Sequence, residues 1–210
     1  SAFMGRHFIV SFMQNEIDRA AIIETSFLSI FVSSTKSDTV LVSIPAKQKY
    51  DTIYIEPYEI KEIIVETDVE VRTYGVVKNK QINIFSKKPI TCWVYSSKNQ
   101  SSDSYVAIPV SRWGKEYRIV SMPNDLYNGH KRQIADNAID SNGVIIDNTK
   151  YNENLTPRTG EFLIIADLDS TIVTYIPTAN TINGVRKNEI GRARLNKGDV
   201  LLVQSLPGAI

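Results

Sequence analysis

Few residues in this chain are of types that do chemistry, and their spacing limits what they can do. His7 and His130 are the only histidines, and neither lies near a nucleophile elbow, a second histidine at metal-binding spacing or a Cys-x-x-Cys pair. His7 falls in the alternating stretch GRHFIVSF and reads as structural; His130, beside Lys131 and Arg132, reads as solvated. The carboxylates are scattered, so their spacing neither proposes nor rules out a pair for glycoside hydrolysis, and a carbohydrate-active enzyme stays open as a third class behind the binding and structural readings. One group stands out as cation ligands. Asp136, Asp140, Asn142 and Asp147 in ADNAIDSNGVIID offer several oxygens on a segment bent by Gly143, the hard donor set calcium takes, although the spacing is not that of an EF-hand. No cofactor other than calcium is indicated. Asp167 and Asp169, ahead of Ser170 and Thr171, read first as a turn and second as a binding loop.

Recognition rather than catalysis is the chemistry the remaining groups suit. Arg192 and Arg194 alternate with Ala193 and Leu195, so on a strand both arginines project from one sheet face. With Lys197, and Arg186 and Lys187 nearby, they form a basic stretch that suits an edge-protecting face or an acidic partner. Trp113 and Tyr127, with Tyr54 and Tyr58, are aromatic candidates for a sugar platform or for anchoring loops. The lone Cys92 alternates in KPITCWVYS with Trp93 and Tyr95 on the other face, which assigns the thiol to the core as a small hydrophobe and excludes an intrachain disulfide.

The elements that must carry these residues are strands. Period-2 alternation recurs in short bursts bounded by polar turns, and helical periodicity is nearly absent. Strands are expected near residues 6–13, 27–32, 39–44, 51–55, 62–66, 81–85, 90–95, 105–108, 116–122, 162–166, 171–176, 192–195 and 200–204. Pro45, Pro57, Pro89, Pro109 and Pro177 fall at the burst edges, where a missing N–H does least damage. The chain has 210 residues, 42% of them hydrophobic, enough for one large β domain or two small ones. A net charge of +1 gives no global footprint for nucleic acid, and no apolar run reaches the ~20 residues of a membrane span.

One segment is written twice. FLSIFVSSTKSDTVLVSIPA at 27–46 returns as FLIIADLDSTIVTYIPTA at 162–179, with the same apolar strand, polar turn, second strand and closing Ile-Pro. Two copies of a β-hairpin unit are expected, in two related antiparallel sandwich-like units at 1–122 and 161–210. An Asn/Asp/Gly-rich insert or linker at 123–160 lies between them. After Pro45 the first unit runs on to Lys88, Pro89 and Cys92. The same distance beyond Pro177 passes Ile210, so the second unit is expected to stop short of its closing strand. An edge left open in that way is expected to be filled by another chain or by a continuation of this one.

The opening Gly5-Arg6-His7-Phe8-Ile9-Val10-Ser11-Phe12 and the stretch from Ser102 to Val110, followed by Gly114 and Tyr117, resemble the IgGFc-binding protein N-terminal domain family. The second copy, with Ala166, Asp169, Thr171 and Val173, resembles that family's second repeat; Leu195, Gly198, Val200, Gln204 and Ser205 resemble its next strand pair. The resemblance implies an extracellular or cell-surface β module, of a bacterial type, associated with adhesion. It would be non-catalytic and would recognise a protein or glycan through loops and sheet faces. Fc binding itself is not carried over, because there is no residue-level Fc motif to transfer. The alternative expectation is a structural subunit of an extracellular filament or envelope layer, self-associating by strand complementation.

Overall fold

The computed structural model describes residues 2–15, 27–98, 101–121 and 160–206. The ordered elements among them are short helical turns and twelve strands, and the fold is all-β and antiparallel. The strands are β1 (Gly5–Val10), β2 (Phe27–Ser33), β3 (Asp38–Ile44), β4 (Lys49–Ile55), β5 (Ile60–Val65), β6 (Gly75–Val77) and β7 (Ile82–Lys98). They continue with β8 (Ser101–Val106), β9 (Glu161–Ile165), β10 (Thr171–Tyr175), β11 (Gly191–Leu195) and β12 (Val200–Gln204). The chain divides into two compact units, one of residues 1–117, 163–173 and 193–202, the other of 118–162, 174–192 and 203–210.

The first unit is organised by β7. Expected as two strands at 81–85 and 90–95, it is a single element of 17 residues that changes partners midway. Its first half pairs with β1 and β3, and its second half with β2 and β8. With β4 outside β3 and β5 outside β2, the ladder folds over at β7 into two halves that face each other. Pro89 therefore lies inside a strand rather than at its end. It sits where β7 leaves one ladder for the other, a position where a missing N–H removes no ladder bond. Phe8, Leu28, Ile30, Val40, Ile84 and Cys92 fill the space between the halves, all fully buried. Burial alternates along β3, β4 and β7 because every second side chain of a strand points inward.

The expected hairpins are not hairpins. β2 pairs with β5 and β7 while β3 pairs with β4 and β7, so the two strands of the first copy lie in opposite halves of the fold. β9 and β10 of the second copy are likewise unpaired with each other; β9 lies beside β12, and β10 beside β11. The link in the first copy is an arch across the core, and that in the second joins strands of two different sheets. Alternation cannot distinguish the two, since an arch and a hairpin both join two half-buried strands through a polar turn. The pairing scheme β2 with β5 and β3 with β4 recurs as β9 with β12 and β10 with β11. The faces do not follow the Ile-Pro alignment, however. Val40 and Ile44 are buried, whereas the aligned Ile172 and Ile176 are about two-thirds exposed (64% and 65%).

One further expectation is corrected and one strand is added. Residues 116–121 form no ladder, and Tyr117, Ile119 and Val120 are exposed there, so their apolar character does not mark a buried strand face. The three-residue β6 was not foreseen; it pairs with β12, and Val71, Val200 and Leu202 form a small second core beside it.

In the second unit Phe162 packs edge to face on Tyr175, with ring centroids 5.9 Å apart, and a Cβ built on Gly191 would lie only 2.3 Å from Cζ of the same tyrosine ring. Gly191→Ala is therefore expected to cost about 1–3 kcal/mol by overpacking. Urea denaturation checks this, and the loss should shrink in a Tyr175→Ala background, where the ring is gone.

Candidate binding surfaces

Strand register assembles two outward faces. On one, Glu62, Phe31, Trp93 and Val106 lie directly opposite one another across β5, β2, β7 and β8. Ile64, Ser29, Tyr95 and Ser104 form the next row. Phe31, Trp93 and Tyr95 are half-buried, while Ile60, Ile64 and Phe27 at the margin are exposed, Ile64 by 71%. The Ser29 hydroxyl donates to Glu62 Oε1 at 2.6 Å and holds that carboxylate at the edge of the row.

The opposite outward face is built by β4, β3, the first half of β7 and β1. Thr52, Leu41, Phe85 and His7 form its central row, flanked by Tyr50, Ser43 and Asn83. His7 stacks on Phe85, with ring centroids 4.2 Å apart and planes 12° from parallel. Burial holds the His7 imidazole below its ordinary pKa against the opposing pull of Asp167, with Lys197 adding to the lowering. Its Nε2 is covered and has no hydrogen-bond partner among the described residues. The ring is thus a neutral, stacked tile at physiological pH.

The outermost strands of this ladder carry charge on their inward sides. On β4, Lys49 and Asp51 occupy core-facing positions opposite Ile44 and Val42, and pair at 3.0 Å. On β5, Lys61 opposes the buried Val32 and reaches Glu59 at 3.1 Å. An inward charge on an edge makes strand addition costly, because a new strand would bury it.

The turn before β10 meets the turn after β11. Lys197 N donates to Asp169 Oδ1 at 3.0 Å, and its Nζ lies 3.5 Å from Asp167 Oδ1. Arg194 donates to the Ser170 hydroxyl at 2.7 Å. Of the basic candidates, Lys197 is thereby brought to the aspartates of the second copy and partly neutralised, while Arg194 meets the neighbouring serine. Arg192 is exposed on the same side of β11 as Arg194. Trp113 is half-buried elsewhere, its indole N–H donating to the Ile108 carbonyl at 2.9 Å. Tyr127, His130 and the calcium candidates Asp136, Asp140, Asn142 and Asp147 lie outside the described residues. Among the described residues no three His, Cys, Asp or Glu side chains converge to hold a metal. The rows on Trp93 and Phe85 were missed as sites because they are assembled by cross-strand register. The alternation of Thr91, Trp93 and Tyr95 was the one local signal of them.

A model of the IgGFc binding protein family matches residues 103–210, just over half of the chain. No curated protein and no solved structure matches it.

Proposed function

The chain belongs to the IgGFc binding protein family, and on that premise we propose that it is a non-catalytic extracellular binding module that docks a protein partner face-on. The observation that carries this reading is the contrast between faces and edges. The row on Phe31 and Trp93 combines aromatic anchors with an exposed aliphatic margin, the composition of a protein interface core. The edges beside it are guarded by inward charge. No helix among the described residues is long and apolar enough to cross a membrane.

Surface plasmon resonance against immobilised IgG Fc and a set of secreted glycoproteins tests the reading. At least one of them is expected to bind, and Ile64→Asp to weaken that binding at least about thirtyfold by placing a charge on the apolar margin. Because Ile64 is exposed, the variant should melt as the parent does. The reading fails if nothing in the set binds. It also fails if Ile64→Asp has no effect while Arg192→Glu, Arg194→Glu and Lys197→Glu abolish a salt-sensitive interaction.

One observation favours a second reading, a filament or envelope subunit assembled by strand complementation. β9 and β10 are edge strands among the described residues, whereas their counterparts β2 and β3 are bridged by β7. A synthetic peptide of residues 82–98 should then bind the chain and block any polymer seen by native mass measurement. A monomer indifferent to the peptide would exclude this route.

A further inference from the structure

We propose that the face centred on Leu41 and Phe85 is a second recognition surface, for a neutral glycan chain. The inference goes beyond the protein-docking reading and stands on different residues. Its outward positions on β4 and β3 are Tyr50, Thr52, Tyr54, Thr39, Leu41 and Ser43, none of them charged. Asn83, Phe85 and His7 continue the face across β7 and β1, and the imidazole there is held neutral.

Rings and small polar groups interleave on this surface. Tyr50 is 81% exposed and Tyr54 54%, both on the outermost strand, and Leu41 and Phe85 lie open beside them. Among the described residues the hydroxyls of Tyr50, Thr52 and Tyr54 bond to nothing, so each is available to a ligand. The four strands span about 15 Å, enough for several sugar rings laid across them. A saccharide presents C–H faces that pack on aromatic rings and hydroxyl edges that pair with hydroxyl and amide groups, which is the pattern displayed here.

The composition argues against the alternatives. A protein-docking core is enriched in Trp, Tyr, Phe, Met and Arg, and this face shares the Tyr and Phe of that set. It has no Trp, Met or Arg, however, and six of the nine positions named above carry a hydroxyl or amide group. Its cations are Lys87, the next outward position after Phe85 on β7, and Lys197 beside His7, the latter already paired with Asp167, whereas an acidic glycan or nucleic acid would need a row of them. The stack of His7 on Phe85 keeps the tile flat and pre-formed, which lowers the entropy lost on binding.

Affinity chromatography of the whole chain on immobilised neutral oligosaccharides (a mannan, a galactan and a glucan series) and on a heparin fragment tests this. At least one neutral series should retain the protein, with retention unchanged between about 0.1 and 1 M salt because no ion pair is involved. Tyr50→Ala with Tyr54→Ala should weaken that retention about tenfold by removing the stacked rings, while melting as the parent does. Ile64→Asp should leave it intact. The inference is overturned if no neutral series binds, if only heparin binds and salt releases it, or if the double tyrosine variant binds as before. Protein capture lost in Ile64→Asp alongside any of those outcomes would sink the glycan surface and leave the docking reading standing.

Discussion

Asp38→Ala should destabilise the protein by about 3 kcal/mol at neutral pH, more than any surface substitution above. The carboxylate is buried at the end of the first arch, where it accepts the Thr39 N–H on Oδ1 at 2.8 Å and the Lys88 N–H on Oδ2 at 2.6 Å. Lys88 adjoins Pro89, the point at which β7 changes ladders. Around the same crossing the Ser34 hydroxyl donates to the Pro89 carbonyl at 3.0 Å, and Lys88 Nζ donates to the Ser37 carbonyl at 2.7 Å. Removing the carboxylate leaves two backbone donors without acceptors, each costing about 1–3 kcal/mol where water cannot replace the bond. Asp38→Asn keeps the shape and one good acceptor oxygen, so about half the loss is expected. Burial opposes the charge on Asp38, but the N–H groups of Lys88 and Thr39 outweigh it and the pKa is lowered on balance. A carboxyl with a lowered folded pKa adds stability above its unfolded value, and that contribution fades as pH falls through the folded value. The gap between the parent and Asp38→Ala should therefore be widest above about pH 4 and narrow in stronger acid. A gap that is flat across that range in urea titrations would show that the carboxylate charge does not hold the crossing.

That crossing also marks how far the sequence could be read. The all-β class, most strand positions and the core placement of Cys92 follow from alternation, because a half-buried strand must place every second side chain inward whatever it pairs with. Pairing is a different kind of information. The turn SSTKSD reads equally well as a hairpin tip or as an arch, and only the long-range bonds from Ser34 and Asp38 to β7 decide between them. The same limit applies to the surfaces. Arg192, Arg194 and Lys197 were recognisable because they cluster along the chain. Phe31 and Trp93, like Leu41 and Phe85, come from strands tens of residues apart and meet only through register. Trp113 drew attention as a large aromatic in a turn, yet its indole N–H is spent on a nearby carbonyl, which no local pattern announces.

Cys92 should make the fold labile to alkali. The thiol is fully buried three residues beyond Pro89, between the inward-facing Ile90 and Val94, and burial pushes its pKa up from 9.0 to about 12. In the unfolded chain the thiol ionises near the ordinary value, whereas in the folded chain it holds its proton until near pH 12. Between those values the folded state binds more protons than the unfolded one, so stability falls as pH rises, by about 1.4 kcal/mol per pH unit from this group alone. Across the window the loss approaches about 4 kcal/mol, comparable to the whole stability of a marginal domain. Tyrosines and lysines titrate in the same range, and Tyr105 adds to the effect, since burial of its hydroxyl also raises its pKa despite the bond it donates to the Ser11 carbonyl. Cys92→Val separates the terms: it fills the site with a group of similar volume and no proton, and among the other titrations it changes that of Tyr105, which loses the repulsion of the Cys92 thiolate. Its urea midpoint should match the parent near pH 7 and exceed it increasingly above pH 9. Iodoacetamide offers a second readout, because the folded thiol at pH 8 is about a thousandfold poorer in thiolate than an exposed one and sterically closed as well. Labelling should therefore proceed only through unfolding and accelerate steeply with urea. Rapid labelling of the native protein, or parallel alkaline unfolding of parent and Cys92→Val, would place the thiol outside the core that β7 organises.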